Sequence, residues 1–99
     1  MAHEVAWAES AIAGLVEVVE YISRDSPSYA AGIALQAERA AASLAELPDR
    51  GRRVPEFRDL SVRELSVSRY RLIYRVQPKK VVILAFVHKA RDLGAIGDD

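Results

Sequence analysis

Tyr70-Arg71-Leu72-Ile73-Tyr74-Arg75-Val76 alternates along its length, with Tyr70, Leu72, Tyr74 and Val76 on one side and Arg71, Ile73 and Arg75, together with Arg69, on the other. A period of two assigns each set to one face of a β-strand. Two more strand patterns flank it, Val62–Val67 before and Lys80–His88 after. Ser68-Arg69 supplies a tight turn on one side, without the glycine that a primed hairpin turn prefers, and Gln77-Pro78-Lys79 supplies a turn on the other. Val81 to Val87 is an unbroken apolar run, which implies burial on both faces, as in a central strand.

Upstream the period changes. The first seven residues alternate, with His3, Val5 and Trp7 on one face of a short strand. From about Ala8, Ile12, Leu15, Val16, Val19 and Ile22 form a helical stripe, with Glu9, Glu17 and Glu20 mostly off it. Asp25-Ser26-Pro27 breaks this helix and starts another. The Ser26 hydroxyl suits an N-cap, and Pro27 suits a first turn that has no use for its missing N–H. An alanine-rich second helix over 28–47 carries Ala30, Ile33, Ala34, Ala37, Ala41, Leu44 and Leu47 on its stripe and ends at Pro48. The short link makes the two helices an antiparallel hairpin. Arg50-Gly51-Arg52-Arg53-Val54-Pro55 holds too many breakers for regular structure.

The order is therefore β-α-α-β-β-β. It predicts an α+β fold: a mainly antiparallel twisted sheet covered on one face by the helical hairpin. A chain of 99 residues makes one domain, 1–99, with a charged, glycine-bearing tail expected to be flexible over about 92–99. The longest apolar run is far short of a membrane span, no secretory signal pattern opens the chain, and no cysteine is present. A cytoplasmic protein without membrane contact is expected. Disulfides, thiolate metal sites and cysteine nucleophiles are excluded.

The net charge of zero conceals a polarity. Residues 1–49 carry eight acidic and two basic side chains, residues 50–99 six acidic and twelve basic, and eleven of the fourteen cations are arginines. Such asymmetry fits either a basic face for an anionic partner or pairing of opposite charges across a compact surface. Phosphate-binding glycine loops and the common hydrolase motifs are missing, and no His, Asp and Glu cluster has metal-ligand spacing. No cofactor or metal is expected. His3 and His88 are the only imidazoles. Arg63, Arg69, Arg71, Arg75, Lys79, Lys80, Lys89 and Arg91 fall on adjacent strands or their ends. With strands ~4.8 Å apart, several of these cations are expected to share one sheet face and bind phosphate or carboxylate. The competing interpretation is a solvated face guarded by charge. Tyr70 and Tyr74 fit core burial better than stacking.

Gly51-Arg52-Arg53-Val54-Pro55-Glu56, then Arg63-Glu64-Leu65-Ser66-Val67-Ser68-Arg69-Tyr70-Arg71-Leu72-Ile73-Tyr74-Arg75-Val76, resembles the RelE/ParE toxin superfamily. The likeness extends to Val5-Ala6-Trp7, Tyr21-Ile22, Asp25-Ser26-Pro27, and Val82 to His88 with Arg91-Asp92 following. It implies the toxin of a type II toxin–antitoxin pair, associated with plasmid stabilisation and neutralised in a hetero-oligomer by a cognate antitoxin. RelE-like members cleave mRNA in the ribosomal A site, whereas ParE-like members inhibit DNA gyrase. Arg71 matches the arginine that stabilises the reacting phosphate in the nucleases, and Lys89 or Arg91 matches a second basic residue. The late tyrosine common in those nucleases is missing, since no tyrosine follows Tyr74. That leaves His88, Lys89 or Glu64 for proton transfer. The ending His88-Lys89-Ala90-Arg91-Asp92 resembles the ParE branch. The expected function is gyrase inhibition, with Arg63, Arg69, Arg71, Arg75, Lys89 and Arg91 contacting target or antitoxin. The alternative is ribosome-dependent mRNA cleavage using Arg71, His88, Lys89 and Arg91; a third possibility is an antitoxin-binding module without toxicity.

Overall fold

A computed structural model describes residues 2–91 and 93. The elements run β1 (Glu4–Trp7), α1 (Glu9–Ser23), α2 (Pro27–Ser43), β2 (Arg52–Arg53), β3 (Val62–Val67), β4 (Tyr70–Val76) and β5 (Lys80–His88). They form one five-stranded sheet in the order β1-β5-β4-β3-β2, antiparallel except for the parallel pair β1–β5. The three strands expected from the alternating segments have these same bounds. A two-residue turn joins β3 to β4, and Ser68 adopts φ 55° at its first central position. This is the position that a II′ turn usually reserves for glycine. The Ser68 hydroxyl meets Tyr29 Oη at 3.1 Å, tying the turn to α2.

The hairpin α1–α2 packs on the face carrying Leu72, Tyr74, Val81, Ile83 and Phe86, with Ile33, Ala37, Ala41 and Leu44 against it. Ser26 caps α2 as expected, its hydroxyl accepting the Tyr29 N–H at 3.2 Å with Pro27 at the first helical position. On α1 the expected stripe is rotated. Ala11, Leu15, Val18 and Ile22 face the core, while Ile12 and Val16 are half exposed. Gly14 sets this rotation: a methyl there would lie 2.6 Å from the Phe86 carbonyl oxygen, so only glycine lets the helix approach β5 so closely. Ala8 N–H donates to Ile83 O at 2.8 Å, so the sheet itself seats the start of α1, which has no side-chain cap.

Two other boundaries differ from expectation. Helix α2 stops at Ser43, four residues early, and Leu47 is exposed. Residues 52 and 53, expected to be irregular, form the short edge strand β2 against β3. Tyr74 explains both. Its buried hydroxyl donates to Pro48 O at 2.8 Å and accepts from Gly51 N at 2.9 Å, pinning the chain that leaves α2 and lining up β2. The opposite sheet face has a smaller core of Val54, Val62, Ile73, Val87 and Leu93. The expectation of a flexible tail falls outside the described residues except at Leu93, which is buried in that core.

Candidate functional site

Register brings charge together on the sheet face away from the helices. Ser66 lies opposite Arg71 and Glu64 opposite Ile73, so Glu64 and Arg71 are diagonal neighbours on one face. On the other side of β3, Glu64 lies opposite Arg52 of β2. The turn after buried Val54 then swings Glu56 over the same place. Arg71 Nε donates to Glu64 Oε1 at 2.6 Å, and its two terminal nitrogens donate to the two Glu56 oxygens at 2.9 Å each. The remaining Glu64 oxygen accepts from Arg52 Nε.

This four-residue chain is neutral overall and largely removed from water at its centre. The Arg71 and Glu64 side chains are only 8% and 3% exposed. Two buried charges are tolerated here because each carboxylate oxygen and each guanidinium nitrogen of the central pair has a partner. Hydrogen bonds from Arg71 outweigh desolvation at Glu56 and hold its carboxyl well below the usual range, at about 2. In return, hydrogen bonding to Glu56 and then Glu64 raises the basicity of Arg71 further. A concavity of about 530 Å³ opens beside the network, lined by Arg52, Pro55, Glu56, Ser66, Arg71 and Lys89.

The expected single cationic face does not form. Arg63 lies opposite Tyr74, on the helix face, because antiparallel pairing puts directly opposed residues on one side. It is spent locally, donating to Gly51 O at 2.8 Å with Asp49 3.6 Å away. Arg75 shares the Arg71 face but sits 3.4 Å from Asp59. Arg69 is exposed in the β3–β4 turn. His88 lies opposite Tyr70 on the helix face, its ring edge-on to Tyr70 at 5.6 Å and its Nδ1 accepting the Ala90 N–H. Arg91 lines a second hollow of about 540 Å³ with Glu17 and His88, between α1 and the end of β5. Of the expected site residues, only Arg71 and Lys89 share the first concavity.

The sequence pattern marks neither Glu56 nor Arg52 as a site residue, and it marks Glu64 only as a candidate for proton transfer. A pair of acidic residues spaced to reach one buried strand arginine was the available signal. The charge polarity survives folding: among the described ion pairs only Asp49 comes from the acidic half, and the other carboxylates are Glu56, Asp59 and Glu64. Among the described residues no three imidazole or carboxylate groups converge as metal ligands, and no helix is long and apolar enough to cross a membrane.

Residues 5–93 match the family described as ParE toxin of type II toxin-antitoxin system, parDE. The chain belongs to this toxin family, within the RelE/ParE superfamily. It is 38% identical over 89 residues to Toxin RelE2 of Caulobacter vibrioides, covering 89% of this chain and 97% of that one. Solved structures agree on the fold. A chain of the chromosomal ParDE system of P. aeruginosa superposes with TM-score 0.71 at 20% identity, covering 87% of this chain and 95% of its own. A chain of the toxin–antitoxin complex RelBE2 of Mycobacterium tuberculosis superposes with TM-score 0.62 at 25% identity, covering 92% and 95%. The Arg52–Glu64–Arg71–Glu56 network thus belongs to a type II toxin.

Proposed function

We propose that this toxin arrests growth by binding DNA gyrase in the cytoplasm, as a ligand and not as a nuclease, and that a cognate antitoxin neutralises it. The observation that carries this reading is the engagement of Arg71. Transition-state stabilisation of a cleaving phosphate needs preorganised donors aimed at the developing charge. Each of the three nitrogens of the Arg71 fork already donates to Glu64 or Glu56, which leaves only two of its five N–H groups uncommitted. Proton transfer needs a group within reach of the same phosphate. His88 is on the opposite sheet face from Arg71, and no tyrosine follows Tyr74. A binding mechanism needs neither group, only a surface.

The antitoxin part of the proposal draws on the related structures of ParDE and RelBE2 systems. Ile12, Val16 and Leu35 leave apolar side chains half exposed on the helical hairpin. An amphipathic antitoxin tail would bury them while its carboxylates meet the basic sheet edge. The toxin induced alone should stop bacterial growth, and its antitoxin should restore it. Unimpaired growth with soluble toxin present would count against toxicity.

Ribosome-dependent mRNA cleavage is the second reading, favoured by the name of the Caulobacter relative and by Lys89 sharing the concavity with Arg71. Programmed ribosomes separate the two. A nuclease would cut A-site mRNA and lose about a hundred- to a thousand-fold in rate in Arg71→Ala; a gyrase ligand cuts nothing.

A further inference from the structure

Three of the four tyrosines gather at one end of the molecule, although they come from three different elements. Tyr21 lies in the last turns of α1, Tyr29 in the first turn of α2 and Tyr70 at the start of β4. Tyr29 reaches the β3–β4 turn through its contact with Ser68, and Tyr70 stacks on Phe86 with ring centroids 5.3 Å apart. Tyr21 and Tyr29 flank the short link between the end of α1 at Ser23 and the start of α2 at Pro27.

Folding accounts for Tyr70, packed against the core, and for the Tyr29 hydroxyl on Ser68, but not for the exposed rings of Tyr21 and Tyr29. Tyr21 is 66% exposed and Tyr29 47%, whereas Tyr74, the fourth tyrosine, is completely buried. Arg24 lies over the Tyr21 ring at 5.9 Å. Arg24 and Arg69 enter none of the ion pairs among the described residues. Tyrosine and arginine are the side chains enriched where binding energy concentrates, because rigid rings bury large area at little entropic cost.

We infer that the corner of Tyr21, Tyr29, Tyr70, Arg24 and Arg69 is the surface by which the toxin grips its target protein, through an apolar side chain flanked by a carboxylate on that partner. The charges around it favour protein over nucleic acid. Glu17, Glu20 and Asp25 lie within about a turn of Tyr21 and Arg24 along the chain, and a polyphosphate backbone selects an unbroken cationic track. A mixed rim suits a folded partner with a complementary mixed rim. The inference rests on the gyrase reading and names the part of the toxin that reading requires.

The test uses purified full-length toxin, purified gyrase, the antitoxin and a single-stranded oligonucleotide. Tyr21→Ala with Arg24→Ala should weaken gyrase binding at least tenfold, while Tyr21→Phe, which keeps the ring, stays within threefold of the unmutated toxin. Antitoxin binding by the double variant should stay within threefold, which also reports an intact fold. Equal gyrase binding by the double variant would overturn the corner alone. Absence of gyrase binding by the unmutated toxin would overturn the gyrase reading and the inference with it. Parallel loss of antitoxin binding, or oligonucleotide binding that disappears in the same variant, would assign the corner to a different partner and overturn it.

Discussion

Glu56 grips Arg71 through both carboxylate oxygens, each 2.9 Å from a different guanidinium nitrogen. With Glu64 on Nε, the arginine becomes a brace that joins the 54–57 turn to β3 and β4. A phosphate seeking that bidentate edge would first have to displace the Glu56 carboxylate.

Arg71→Ala should therefore be costly to the fold. It removes the partner of both Glu56 and nearly buried Glu64, and breaking a buried pair from one side costs about 3–5 kcal/mol. Arg52 still engages Glu64, so a loss of about 3 kcal/mol in urea unfolding is expected. A change below about 1 kcal/mol would show that the brace carries little of the stability.

Acid should reveal the same link. Folding lowers the Glu56 pKa from 4.5 to about 2. The stability it contributes is complete above the unfolded value and is lost as pH falls through that window toward about 2. Glu56→Gln should be less stable at pH 7 and should show a flatter stability curve between pH 4.5 and 2. Parallel curves for the two proteins would place the acid sensitivity elsewhere.

The strands were legible because period two, tight turns and an apolar central run all agree from Val62 to His88. The Ser26 cap was legible for the same kind of local reason. The rotation of α1 was not, because Ile12 and Val16 fit a helical stripe as well as Ala11 and Val18 do. What decides is the contact of Gly14 with the Phe86 carbonyl, 72 positions away in sequence. Edge strand β2 was hidden likewise, since its pairing depends on Tyr74 holding the loop before it. At the site, the basic residues were visible but their neutralisation was not. Alternation gave the β4 face of Arg71, while the partners of its fork depend on register and on a turn that no periodicity describes.

Two glycine substitutions test the account of the helices. Gly14→Ala forces a methyl against backbone that cannot yield, and should cost about 1–3 kcal/mol. Gly32→Ala meets open space within α2 and should stabilise by up to about 1 kcal/mol. Thermal melts of the two variants moving in the same direction would contradict the packing described for α1.

Tyr74→Phe removes the hydroxyl that joins Pro48 O to Gly51 N. A buried donor left unpaired costs about 1–3 kcal/mol. Faster hydrogen exchange at Gly51 and Arg52 should accompany that loss. Unchanged protection there would mean that β2 forms without Tyr74.

The most direct measurement of the central claim is DNA supercoiling by purified gyrase, titrated with the purified toxin and run beside translation of a programmed mRNA on ribosomes. Supercoiling should stop, or gyrase-cleaved DNA accumulate, while the mRNA remains whole, and adding the antitoxin should restore gyrase. Unaffected supercoiling together with cuts in the A-site codon would contradict it.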